Sequence, residues 1–240
     1  METSDHFKNG ATLKSHTSRA LKRNKMKKML MTSIICLITI ALYSQLKPYK
    51  GANGKFGFKD VNGKVVIPLK YNYAFPFSEG LAAVVLNEQY SFIDKTGKVV
   101  IPLKYESAGP FSEGLASVYL DRKYGFIDKT GSLVISMKYE GAGVFSEGFV
   151  LVTLNGYNGF IDKTGKVITE FKYGDTYPPS SFSDGLALVT VGGKYGFINK
   201  TGEETIPLNY NDAFPFSKGR AKVKLDGRTF YIDKTGKELK

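Results

Sequence analysis

Apolar and polar positions fall into short, regularly punctuated stretches along most of this chain, and the stretches recur. From Leu115 the order is Leu-Ala-Ser-Val-Tyr-Leu, then Asp121-Arg122, Tyr124-Gly125-Phe126-Ile127, Asp128-Lys129-Thr130-Gly131 and Leu133-Val134-Ile135. Short runs rich in Val, Ile, Tyr and Phe between turn signals predict β-strands. The Asp121-Arg122 slot holds Asn155-Gly156, Gly192-Gly193 and Asp226-Gly227 in other copies. Those dipeptides accept positive φ at both positions, as a type I′ hairpin turn demands. Asp-Lys-Thr-Gly suits a type I turn closed by a left-handed glycine, with the aspartate side chain holding it. Pro68, Pro102 and Pro207 are expected to end the third strand, since proline cannot donate to a ladder. Three short antiparallel strands then fill each unit, and a long helix has no room.

The period is sharp. The glycines closing the Asp-Lys-Thr-Gly turn or its variants stand at 63, 97, 131, 165, 202 and 236, spaced 34, 34, 34, 37 and 34. Phe-Ser-Glu-Gly recurs at 77–80, 111–114 and 145–148, with Asp184 and Lys218 replacing its glutamate in the last two copies. The units are 56–89, 90–123, 124–157, 158–194 and 195–228, with a partial unit 229–240; residues 45–55 read as a linker. Tyr124 and Phe126 point to one strand face and Ile127 to the other, so one unit cannot bury both faces and neighbours must cover each other. The expected fold is all-β, an antiparallel β-hairpin repeat array. An open solenoid is favoured over a closed, propeller-like ring of five blades, because a blade takes about four strands and about 40 residues or more.

Charge changes the picture less than its total suggests. The 240 residues hold 34 Lys and Arg against 22 Asp and Glu, a net charge of +12. Eight of the basic and two of the acidic residues lie within residues 1–44, so half of the excess belongs to that leader. There Met26-Lys27-Lys28 precedes a mostly apolar run, Met29 to Tyr43, and then Ser44-Gln45. A basic start, an apolar run shorter than a comfortable bilayer span and a small residue describe a secretory signal peptide at 26–44. An uncleaved membrane anchor and a buried helix are the alternatives. Residues 1–25 form an extension, with Met26 a candidate start. Export to the periplasm, the outer surface or the medium is expected, with membrane contact only through the leader.

The repeated residues resemble the bacterial WG-repeat proteins. The pattern aromatic-Gly-Phe-Ile-Asp-x-x-Gly, then Ile-Pro, Lys-Tyr, Phe-Ser-Glu-Gly and Leu-Ala-x-Val is similar to that repeat over nearly all of residues 56–240. The tryptophan that names the family is replaced by Phe56, Tyr90, Tyr124, Asn158, Tyr195 and Thr229. Its glycine is kept as Gly57, Gly125, Gly159 and Gly196, but Ser91 and Phe230 stand in two copies. The resemblance implies an all-β, often exported, repeat protein and carries no catalytic residue.

Candidate chemistry is thin. His6, His16 and Cys36 all lie in the leader, so the body offers no His–Cys or Ser–His pair and no zinc set. No enzyme activity, metal or cofactor is expected. A serine or carboxylate that recurs in every copy reads as a turn residue, because a catalytic group is needed once. The binding candidates are Tyr71, Tyr105, Tyr139, Tyr173 and Tyr210, which share one repeat position. As an exposed ladder they would stack on sugars or pack on a partner; alternatively they fill space between units with their hydroxyls bonded to backbone. Tyr177 joins them, in the one insertion of the array, Gly174–Ser181. The Lys row 70, 104, 138 and 172 could pair with the acidic row 79, 113, 147 and 184. The body's cations are interleaved with acids, so nucleic acid is not an expected partner. The leading expectation is a non-catalytic scaffold for a protein partner, and the second a cell-surface glycan binder.

Overall fold

The structure, a computed structural model, describes residues 46–174 and 181–240. The leader and Tyr177 lie outside the described residues. All regular structure among the described residues is β, arranged as six small antiparallel sheets in chain order. The first sheet holds β1 (Lys47–Lys50), β2 (Phe56–Lys59) and β3 (Val65–Tyr71). The second holds β4 (Tyr73–Ala74), β5 (Leu81–Leu86), β6 (Gln89–Asp94) and β7 (Val99–Tyr105) as a meander. The third to sixth sheets repeat that plan over 107–139, 141–162, 182–210 and 212–239, the fourth lacking a regular outer strand.

Three expectations need correcting. Residues 47–50 are a strand paired with β2, not a linker, because Tyr49 and Lys59 pack together across the pair. Each sheet of the full pattern has four strands rather than three. The extra innermost strand is only two residues long, which is how a four-stranded blade fits a 34-residue period. The period also straddles the sheets: the unit 90–123 supplies β6 and β7 to the second sheet and the inner strands to the third. The prolines sit inside the third strand, as Pro68 and Pro102 do in β3 and β7, at positions next to register shifts in the ladder. A residue that cannot donate is tolerated on such an irregular outer edge.

The turn chemistry is as expected. Asn87-Glu88, Asp121-Arg122, Asn155-Gly156, Gly192-Gly193 and Asp226-Gly227 all have positive φ at both positions. In Asp128–Gly131 the aspartate Oδ1 accepts the backbone N–H of Thr130 and of Ser132 and the Thr130 hydroxyl, while Gly131 closes the turn at φ 87°. Phe-Ser-Glu-Gly is a hairpin turn too. Ser78 and Leu81 exchange both backbone hydrogen bonds, and Glu79 and Gly80 carry positive φ.

The core is five junctions, one between each pair of neighbouring sheets. Each junction contains the same aromatic pair: Phe58–Phe77, Phe92–Phe111, Phe126–Phe145, Phe160–Phe182 and Phe197–Phe216, with ring centroids 4.8, 4.9, 5.1, 5.0 and 4.8 Å apart. Four of the five are edge-on, the geometry that adds about 0.5–1.5 kcal/mol to area burial. Among the described residues nothing packs on the outer faces of the first and sixth sheets, where Tyr49 and Tyr231 are 37% and 42% exposed. Among the described residues the first and sixth sheets do not pair, and the six blade-like sheets follow one another in chain order.

Candidate interaction surface

The tyrosine ladder is not a surface. Tyr71, Tyr105, Tyr139, Tyr173 and Tyr210 are between 0% and 6% exposed and belong to the junctions. Ending the outer strand, each ring turns inward under the next sheet. The hydroxyls of Tyr71 and Tyr139 find no protein partner, so these rings act by packing rather than by bonding to backbone.

The lysine beside each ring stays with it. Lys70, Lys104, Lys138 and Lys172 hold their ammonium groups 5.1–5.8 Å from the ring centres of Tyr71, Tyr105, Tyr139 and Tyr173. They do not pair with the acidic row. That row does something else, which sequence spacing alone did not reveal. Glu79, Glu113, Glu147 and Asp184 each accept the backbone N–H of the glycine in the next copy of their own motif: Gly114, Gly148, Gly185 and Gly219. The serines Ser112, Ser146 and Ser183 each donate to the carbonyl of the next copy's phenylalanine at 2.8 Å. Lys129, Lys163 and Lys200 close on Glu79, Glu113 and Glu147 at 2.9, 4.0 and 3.1 Å. A row expected as turn residues, with the Lys row as its possible partner, is thus a stitch from sheet to sheet. Its signal in the sequence was the coupling of motif and period: a turn residue need not be Ser-Glu, but a residue bonding its own counterpart must recur.

The turn aspartates and Glu79 set a pH response. Thr130, Thr164 and Thr235 hydroxyls, followed by backbone N–H groups, hold Asp128, Asp162 and Asp233 below the usual aspartate value of 3.8. The Lys129 ammonium, and then the Gly114 N–H, lower Glu79 from 4.5. A carboxylate lowered on folding contributes stability above its unfolded pKa and loses it as pH falls through the folded value. Burial raises Tyr105, Tyr173 and Tyr210 above 10.0. Their contribution is full below 10 and is lost as pH rises through the folded values. Thermal midpoints are expected to be flat from about pH 5 to about pH 9 and to fall on both sides, gently on the acid side because the carboxylates are screened. A midpoint unchanged between pH 7 and about pH 3 would count against these hydrogen bonds to the turn aspartates and to Glu79.

What the array does expose is a rim. Val65, Val99, Leu133 and Val167 occupy one repeat position on or beside the outer strands and are 40%, 48%, 53% and 46% exposed. Val100 and Val134 stand next to them, also exposed. In the fifth and sixth sheets the position turns acidic, as Glu204 and Glu238. An apolar cavity of about 280 Å³ lies between the second and third sheets, lined by Phe75, Phe77, Phe92 and Phe111 around Ala83. At that repeat position the fourth and fifth sheets carry Leu151 and Leu188.

The fold is that of blade-like β repeats. A BamB from Moraxella catarrhalis aligns with a TM-score of 0.50 at 14% identity, over 81% of this chain and 69% of that one. A eukaryotic initiation factor aligns with a TM-score of 0.53 at 12% identity, over 82% of this chain and 62% of that one. The chain thus spans about two thirds of the length of these structures, and the likeness is one of β-propeller-like fold. The model of the WG containing repeat matches residues 56–90, 90–124, 124–157, 159–195 and 195–228, and the chain belongs to that family. No curated protein matches it.

Proposed function

We propose that the protein is a non-catalytic, exported scaffold that binds a protein partner along its outer rim. The observation that carries this reading is the apolar row Val65, Val99, Leu133 and Val167, displayed by four successive units. Contiguous exposed apolar side chains on a rigid repeat surface mark an interaction site, and stacked units set them at regular intervals. Export rests on the basic-apolar leader before residue 45. The protein-partner reading is preferred to the glycan reading because the five tyrosines of the ladder are buried.

The test is retention of envelope proteins on the immobilised full chain, compared with a Val99→Glu/Leu133→Glu variant. Glutamate already occupies this position as Glu204, so the fold accommodates it. Retention is expected to drop about tenfold, as loss of central apolar contacts costs more than about 1 kcal/mol. Equal retention by both proteins would overturn the rim as the binding surface.

A further inference from the structure

The second to fifth sheets each turn a largely apolar leading face onto the next sheet, centred on Phe92, Phe126, Phe160 and Phe197, whereas the sixth sheet carries no such face. In the fifth sheet the leading face carries Leu186, Leu188 and Phe197, all buried. The same positions of the sixth sheet hold Arg220, Lys222 and Tyr231, all exposed. Lys218, in the turn before them, replaces the stitching carboxylate, and Lys224 extends the series. The strand reads Lys-Gly-Arg-Ala-Lys-Val-Lys over 218–224, a period-two pattern legible in the sequence once the strand is known. The Arg220 guanidinium lies 4.8 Å from the Tyr231 ring centre, and the Lys222 ammonium 5.9 Å from that of Phe214. The acid facing this row is Asp212, directly across from Lys224. Glu238 is held by Arg228 in a bidentate pair at 2.7 Å.

We propose that this free face docks an acidic polypeptide strand whose carboxylates stand at every second residue. The proposal rests on the scaffold reading and names a second surface of that scaffold. Alternate residues of an extended strand lie about 7 Å apart, so the cations and the carboxylates of such a segment share one spacing. The face continues the series of sheet-on-sheet junctions, and the tyrosine and phenylalanine rings give an apolar floor beneath the charges. A second copy of this chain does not fit. Its own free face, on the first sheet, carries Lys47, Tyr49 and Lys59 where the second sheet has Ala82, Val84 and Ile93. Like charges would meet, which disfavours end-to-end growth.

The experiment uses the full chain and two fluorescent octapeptides of the same composition, one alternating Glu and Thr, the other with its glutamates in one block. Anisotropy titration is expected to show tighter binding of the alternating peptide, weakened about tenfold or more by Lys222→Glu/Lys224→Glu and weakened again between about 50 and about 200 mM salt. Both substituted side chains are exposed, and an unchanged thermal midpoint verifies folding. Four results would overturn the proposal: no binding, equal binding of the two peptides, preference for heparin over both, or binding undiminished in the variant. The rim reading is separable. The Lys222→Glu/Lys224→Glu variant should still retain envelope proteins, and the Val99→Glu/Leu133→Glu variant should still bind the alternating peptide.

Discussion

Alanine at Phe126 is expected to cost about 3–5 kcal/mol, the range for truncating a buried aromatic, and to split the unfolding transition in two. Phe126 is 1% exposed and meets Phe145 edge-on in the junction between the third and fourth sheets. Among the described residues each core cluster joins two neighbouring sheets, so the array behaves as a chain of junctions, and weakening the middle one separates two blocks of three sheets. Differential scanning calorimetry would then show two transitions where the parent shows one. The same substitution at Phe230, partly buried against the last junction, should cost much less and leave a single transition. A single, merely shifted transition for Phe126→Ala would mean that the sheets are coupled beyond nearest neighbours.

Valine at Gly196 is expected to destabilise by about 2–4 kcal/mol, in the range of severe overpacking, which for a body of this size lowers the thermal midpoint by about 5–15 °C. A Cβ built at Gly196 would lie 2.6 Å from the Ile206 carbonyl oxygen and 2.8 Å from the Leu208 nitrogen. Both are backbone atoms of the outer strand, so no side-chain rotation relieves the contact. Gly125 meets the Ile135 carbonyl in the same way at 2.6 Å. The two copies that lack the glycine explain themselves. Ser91 donates its hydroxyl to the Ile101 carbonyl at 2.9 Å, turning the close approach into a hydrogen bond. Phe230 lies where the outer strand, Glu238–Leu239, pairs only with Tyr231 and Ile232 and does not cross it. Gly196→Ser should therefore be milder than Gly196→Val by more than side-chain volume explains. Thermal melts of the two variants decide this, and equal losses would remove the crossing strand as the reason for the glycine.

The ionic side of the structure carries less energy and more specificity. Glu79, Glu113 and Glu147 pair with lysines on the surface, where such pairs contribute about 1 kcal/mol at most. Their bonds to the next motif's glycine fix the register of one sheet on another. The series ends at Lys218, whose charge suits neither a glycine N–H nor a lysine partner. The same residue begins the cationic strand 218–224, so the change that ends the stitch also opens the free face.

Some of this is legible in the sequence. The type I′ turns at Asn155-Gly156 and Gly192-Gly193, the Asp-Lys-Thr-Gly turns and the strands between them depend on residues a few positions apart, and local backbone sterics and side-chain hydrogen bonds decide them. The period followed from repetition, and with it the need to stack. The two-residue inner strand is not legible there because Tyr73-Ala74 carries no periodicity of its own; it exists only as the partner of Val84 and Val85. The tyrosine row stays open between two readings in the sequence for a related reason. Lys-Tyr at a strand end is equally compatible with a ring in solvent and a ring under the next sheet.

By itself, then, the sequence determined the β class, the turn types, the 34-residue period and the family, since all of these rest on neighbours in the chain or on repetition. Tertiary structure decided which faces are covered. The Phe126–Phe145 pair, the bond from Glu113 to Gly148 and the burial of Tyr139 join residues 19 to 35 positions apart, or adjoining sheets, and come into being only when one unit lies on the next. Only that stacking shows that Leu133 faces solvent while Tyr139, six residues on, does not, and that Arg220 and Lys222 are exposed where the fifth sheet buries Leu186 and Leu188.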